Sequence, residues 1–204
     1  MPRVTMPDRP ALVLASASPR RRDLLHALGV PFDVEPADVD ETPDPARAPA
    51  DDALRLARAK ADVVARRRPG RLVLAADTIV VLEGAVLGKP RDASENRRFL
   101  ERLADVPHAV VTAHVLVRAD ANAPQEVGRE AVRTEVRLRA LDEAAIDRWV
   151  ASGAGLDKAG GYAIQDAGAA LVGEVRGCYS NVVGLSLPAV ARLLDAAQEG
   201  RPGV

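Results

Sequence analysis

Cysteine occurs once in the 204 residues, as Cys178, so no internal disulfide can form and the chain suits a reducing compartment. Aromatic residues are nearly as scarce. Phe32, Phe99, Trp149, Tyr162 and Tyr179 are scattered along the chain and leave no platform for stacking bases. Charge of neither sign dominates, and a formal net charge of −1 argues against a protein held to nucleic acid by bulk electrostatics. No apolar run is long enough to cross a bilayer, and the opening MPRVTMPDRP lacks the core of a signal peptide. A cytoplasmic protein without membrane association is therefore expected. His26, His108 and His114 have no metal-ligand spacing, no G-x-S-x-G elbow is present, and Cys178 has no evident histidine partner. A histidine-based metal centre and covalent catalysis thus lack support.

What is present can build a core: 48% of residues are hydrophobic and 28% charged. The length suits one large domain, or one domain with two lobes around a cleft. Residues 1–10 read as a loose extension and 11–200 as a single domain. Leu12 to Ala15 is a short strand, broken by Ser16-Ala17-Ser18-Pro19. A helix follows, with Ser18 as N-cap, Pro19 in the first position, Leu24, Leu25 and Leu28 on one face, and Gly29 at its end. Phe32 to Glu35 forms a second strand. After an acidic, proline-rich connection, a helix from Pro49 to about Arg67 turns Leu54, Ala57, Ala61 and Val64 toward the core. Lys60 lies on that same face, where it either snorkels past the core or reaches a site.

The stretch Arg71 to Arg91 organises the rest. Leu72 to Ala76 and Ile79 to Leu82 have the composition of buried strand, with Asp77-Thr78 between them. A carboxylate inside a buried strand costs several kcal/mol unless cations or donors meet it. Either Asp77 serves a charged ligand, a metal or a basic neighbour, or it ends one strand and caps a turn. Lys89, between Gly88 and Pro90, is the nearest candidate cation in sequence.

Further on, Asp92 and Glu95 resemble a capping box before a helix through Phe99, Leu100 and Leu103. Val110 to Val117 and Glu130 to Leu138 are strands, the second with Val132, Thr134, Val136 and Leu138 on its buried face. Asp142 caps a helix carrying Ile146, Trp149 and Val150. The paired glycines Gly160-Gly161 serve a bend or a close backbone approach, and Gln165 offers an amide suited to reading a base edge. Ala170 to Val175 is a strand, and Pro188 to Gln198 a final helix. Alternating helices and strands indicate an α/β fold, a mixed twisted sheet with flanking helices.

Two loops carry further chemistry. Arg20, Arg21 and Arg22 begin a helix, against the macrodipole, which favours anions there. The conflict vanishes if a phosphate sits among the arginines, the free N–H groups and the hydroxyls of Ser16 and Ser18. The plainer reading is a solvated basic turn. This is no Walker loop, since its glycines and GK[ST] ending are missing. In the acidic connection, Asp38, Asp40 and Glu41 suit a divalent cation or are simply solvated. A strand carboxylate, a phosphate-like helix start, two lysines and an acidic loop together fit metal-assisted water attack on a phosphoanhydride.

LASASPRRRDLL at Leu14–Leu25, VDET at Val39–Thr42, RLARAKA at Arg55–Ala61, AADTIVVLEG at Ala75–Gly84, GKPRDA at Gly88–Ala93, DKAGGYAIQ at Asp157–Gln165 and VVGL at Val182–Leu185 closely resemble the Maf family. The resemblance covers almost the whole chain beyond the first ten residues. It implies a nucleoside triphosphate pyrophosphatase that releases a monophosphate and pyrophosphate. It also implies a fold similar to inosine triphosphate pyrophosphatases, with two lobes around a central cleft and often a homodimer. By the same resemblance Asp77 is the proton acceptor. Ser16, Arg21, Lys60 and Lys89 line the phosphates, and Glu41 holds Mg²⁺ or Mn²⁺. Arg20, Thr78 and Gln165 match the subgroup acting on dTTP and UTP. Asp166 departs from the pattern, which has glycine after the glutamine. Two rivals stay open: a methylated or deaminated nucleotide as substrate, and a regulator of septum formation acting by partner binding.

Overall fold

The computed structural model describes residues 12–120 and 123–199. The expected extension over residues 1–10 lies outside them. The centre of the fold is β3 (Leu72–Leu82), one continuous strand that carries Asp77 and Thr78 in its middle. The reading in which Asp77 ends a strand is thereby corrected: Asp77 pairs opposite Ala113 within an unbroken ladder to β5 (Pro107–Ala119). β6 (Pro124–Leu138) and β7 (Val172–Arg176) extend the sheet antiparallel. On the other side of β3 lie β1 (Leu12–Leu14), parallel to it, and then β2 (Phe32–Val34), parallel to β1. The short β4 (Ala85–Leu87) forms a hairpin with the far end of β3. The seven strands make a mixed sheet in the order β2-β1-β3-β5-β6-β7, with β4 beside β3.

Alternation along the strands divides the core. Leu12, Leu14, Leu72 and Leu74 face Leu25 of α1 (Pro19–His26) and Val190 and Leu193 of α5 (Leu187–Glu199). Val13, Val73, Ala75 and Val115 face Ala53, Ala57, Ala61 and Val64 of α2 (Pro49–Arg67). The alanines of α2 let its backbone come close to the sheet. A third cluster gathers Val80, Leu82, Leu87 and Val110 with Leu100 and Leu103 of α3 (Ala93–Leu103) and Ile146 and Trp149 of α4 (Glu143–Ala151). The long strands β3 and β5 run through both halves, so the two lobes share one sheet.

Some expected boundaries move. β5 and β6 begin at Pro107 and Pro124, ahead of the expected Val110 and Glu130. The strand expected from Ala170 begins only at Val172, because Asp166–Leu171 is a 3-10 turn. Gly168 makes that turn possible: a Cβ there would lie 2.5 Å from the carbonyl oxygen of Ala163.

Candidate active site

The order β2-β1-β3, with α1 on one face and α2 on the other, makes the C-terminal end of β1 a topological switch point. Open α/β sheets bind ligands in the crevice that forms there. The local geometry shows why a crevice opens. Ala15 N–H donates to Leu74 O at 2.8 Å, and the chain then turns away into Ser16–Ser18. β4 resumes the pairing only at Val80. Ala75 to Ile79 therefore have no strand on that edge, and the gap opens into a cavity of about 980 Å³. Ser16, Arg20, Arg21, Glu41, Lys60, Asp77, Thr78, Lys89 and Gln165 all line this cavity, whereas Asp38 and Asp40 of the acidic connection do not.

Asp77 points to the α2 side, where it is 8% exposed. Its nearest cation is Lys60 of α2, not Lys89: Lys60 Nζ donates to Asp77 Oδ1 at 2.6 Å. The same nitrogen lies 2.7 Å from Glu41 Oε1, while Lys89 Nζ, largely exposed, is 3.5 Å from Glu41 Oε2. Lys60 is thus no snorkelling side chain but an ammonium clasped by two carboxylates. Burial works against ionising Glu41, yet Lys60 and Lys89 outweigh it and hold the carboxyl below its ordinary range. Asp40 does not join this group, since its Oδ1 accepts from both the N–H and the hydroxyl of Thr42.

Arg21 is the hub on the opposite face. Ser18 caps α1 by accepting from Arg21 N–H. The guanidinium donates to Gly184 O (2.8 Å), Ala76 O (2.9 Å), Ser16 Oγ (3.3 Å) and Thr78 Oγ1 (3.0 Å). Ala76 O is the carbonyl that the missing strand leaves open. Burial lowers the Arg21 pKa while Asp77 and Glu41 act to raise it, and the group remains a cation. Thr112 donates to Asn181 O at 2.8 Å, so the 3.0 Å contact between the threonine hydroxyls must have Thr78 as donor. The Thr78 proton is spent inside the protein, and toward the cavity its hydroxyl can only accept.

The cavity mouth is bounded by Arg20 and by the segment after α4. Arg20 Nη1 donates to Asp157 Oδ2 at 3.2 Å. Gly160 N–H donates to Gly88 O at 3.0 Å, joining the glycine pair to the loop that carries Lys89. Gly161 O accepts from Asn96 Nδ2 and Trp149 Nε1 at 2.7 and 2.8 Å. Trp149 is therefore a core residue that also anchors this loop. Gln165 follows, partly buried, with its side-chain amide making no hydrogen bond among the described residues. Tyr179 fixes the preceding residue by donating to Ile164 O at 2.9 Å.

Residues 11–197 match the protein family described as Maf-like protein. This chain belongs to the Maf family. It is 54% identical over 188 residues to the dTTP/UTP pyrophosphatase of Anaeromyxobacter dehalogenans strain 2CP-1, covering 92% of this chain and 94% of that one. It is 49% identical over 190 residues to the dTTP/UTP pyrophosphatase of Myxococcus xanthus, covering 93% and 94%. Among solved structures, a nucleoside-triphosphatase (dITP/XTP pyrophosphatase) of Mycobacterium abscessus aligns with a TM-score of 0.46 at 17% identity, covering 93% of this chain and 97% of that one.

In this Maf protein the loop bearing Glu41 is held by residues that the sequence did not single out. Buried Asp52, in the first turn of α2, accepts from Asp44 N–H at 3.0 Å and Arg55 Nε at 2.6 Å. Arg55 in turn donates to Thr42 O at 3.0 Å. Thr112, Asn181 and Asp157 were missed in the same way. Their partners lie 34 to 137 residues away in the chain, so no local pattern could signal them. Among the described residues no three His, Cys, Asp or Glu side chains gather as a metal site, and no helix is long and apolar enough to cross a membrane.

Proposed function

We propose that this protein is a nucleoside triphosphate pyrophosphatase acting on dTTP and UTP, which it cleaves between the α- and β-phosphates. The observation that carries the reading is the convergence of Asp77, Lys60, Glu41 and Arg21 on the edge gap of β3. Relatives at 54% and 49% identity that bear the name dTTP/UTP pyrophosphatase support the substrate class.

The residues divide the work by chemistry. Asp77 turns Oδ1 toward Lys60 and Glu41, and Oδ2 is the oxygen left to orient a water and accept its proton as the water attacks the α-phosphorus. Arg21 and Ser16, at the α1 N-terminus, receive phosphate oxygens together with the helix dipole. Lys60 and Lys89 offset the charge that spreads over the transferring and leaving phosphates. Gln165, with both its donor and acceptor groups unspent, reads the pyrimidine edge. Thr78 accepts from the base N–H, and Arg20 closes the mouth. A site of this kind rejects bases that leave its polar groups unpaired.

Glu41 and Asp77 fit a divalent cation. Mg²⁺ characteristically takes one or two carboxylates and fills its remaining positions with phosphate oxygens and water, and two converging carboxylates without a third meet that demand. When bound, the ion neutralises phosphate charge and lowers the pKa of a nearby water.

The test is pyrophosphate release from a panel of normal, methylated and deaminated nucleoside triphosphates, each with and without a chelator. Selective, chelator-sensitive release from dTTP and UTP is expected; preference for a damaged nucleotide would overturn the substrate assignment. Replacing Arg20 and Gln165 together should reorder the panel.

A further inference from the structure

Lys60 is not merely near the proposed ion site; it sits in it. Its Nζ is within hydrogen-bond distance of Glu41 Oε1 and Asp77 Oδ1 at once, and only 7% of the residue is exposed. Its neighbours along the α2 face are Ala57, Ala61 and Val64, all buried and apolar, so the helix itself offers the ammonium no other partner. A lysine ammonium is a compact cation that satisfies two carboxylates much as a small metal ion does. Two cations cannot share that position, because like charges so close in a buried setting repel strongly. Lysine also has a flexible four-carbon stem, and Lys60 lines the cavity, so a rotation of the stem can carry its charge toward a ligand there.

We propose that in the nucleotide-free enzyme the Lys60 ammonium occupies the seat of the divalent cation between Glu41 and Asp77, and that the ion enters only with a triphosphate. The anionic oxygens of the triphosphate draw Lys60 off the carboxylates, and the seat opens as the phosphates arrive to complete the ion's coordination. The enzyme then holds no resident metal. An ammonium in the seat also shields the site from tighter-binding transition metals when no substrate is present. This inference rests on Glu41 and Asp77 being the protein ligands of the ion.

The experiment is a titration of Mn²⁺ followed by electron paramagnetic resonance, without nucleotide, on the wild type and on Lys60→Met. The variant should bind Mn²⁺ at least about tenfold more tightly, a change of the size seen when groups around a metal are altered. Equal affinities would overturn the proposal. If Lys60→Met does not fold, as judged by thermal melting, the side-chain ammonium signal of Lys60 in the wild type decides. That signal should be unmoved by Mg²⁺ alone and shifted by Mg²⁺ with a non-hydrolysable α,β-methylene triphosphate; displacement by Mg²⁺ alone would overturn the proposal. Adding Glu41→Gln to Lys60→Met should abolish the gain. Undiminished Mn²⁺ binding there would instead show the ion seated elsewhere, which refutes the ligand assignment and not only the role of Lys60.

Discussion

Asp77 and Thr78 are chain neighbours that point to opposite faces of the sheet, yet both line one cavity. Asp77 meets Lys60 of α2, and Thr78 meets Arg21 of α1. This is possible only because the edge of β3 is unpaired between β1 and β4, so a ligand in the gap touches both sides of a single strand. The Asp77 carboxylate and the arginine hub are thereby tied to adjacent positions of one largely buried strand. Few arrangements hold two groups in a more constant relation.

Asp77→Asn should leave the fold intact and lower turnover at least about a hundredfold, the usual scale of a general-base contribution. The amide keeps the shape and a hydrogen-bond acceptor for Lys60 but cannot take the proton. Pyrophosphate release measured beside circular dichroism checks this; near-wild-type turnover would remove Asp77 from its role.

Thr112→Val should destabilise by about 1–2 kcal/mol, because the Thr78 hydroxyl loses its acceptor and Asn181 O keeps only the Gly184 N–H. The swap preserves shape, so the loss reports hydrogen bonding and not a cavity. Melting should fall by roughly 2–4 °C for each kcal/mol in a chain of this size. A freed Thr78 hydroxyl should also change the KM for dTTP relative to other triphosphates, and an unchanged melting point together with unchanged KM values would contradict the relay.

Asp166 has a φ of 51°, in the left-handed region that favours glycine. The aspartate therefore holds a backbone conformation that glycine adopts at lower steric cost. Asp166→Gly should raise stability by about 0.5–1 kcal/mol, the left-handed penalty being partly offset by the entropy of glycine. The order of preferred nucleotides should not change. A loss of stability in urea unfolding would mean that the aspartate side chain makes a compensating contact.

His114 is buried and held neutral: its Nδ1–H donates to Glu130 O at 3.1 Å, and its Nε2 accepts from Ser186 N–H at 2.8 Å. Burial lowers its pKa to about 4. Because the unfolded chain protonates near pH 6.5, it binds the proton first as pH falls. Stability is then lost at roughly 1.4 kcal/mol per pH unit down to the folded pKa, about 3 kcal/mol in all. Above pH 6.5 the group contributes no pH dependence. Urea unfolding from pH 7 to 4 should be flatter in His114→Gln than in the wild type, whatever the substitution costs at pH 7. Parallel curves would assign the acid sensitivity to other groups.

Much of this was legible in the chain. Apolar, β-branched runs and the period-two alternation of Glu130–Leu138 mark strands, Ser18, Asp92 and Asp142 mark helix starts that the caps reproduce, and the oddity of a carboxylate in an apolar run points to Asp77. Partners were harder. Lys89 is twelve residues from Asp77 and Lys60 seventeen, so chain distance favoured the wrong lysine. The choice was made by α2, whose alanine face brings Lys60 onto the sheet within 2.6 Å of the carboxylate.

The sequence alone determined the elements and the reactive groups, since propensity, periodicity and capping act within a few residues and side-chain chemistry travels with the residue. Only the tertiary structure decided that β1 and β4 leave a gap on β3, that Arg21 fills an orphaned carbonyl there, and that Lys60 bridges two acids. Those facts depend on which strands pair and where they stop, and such long-range closure is set by how the whole core packs, not by any local run of residues.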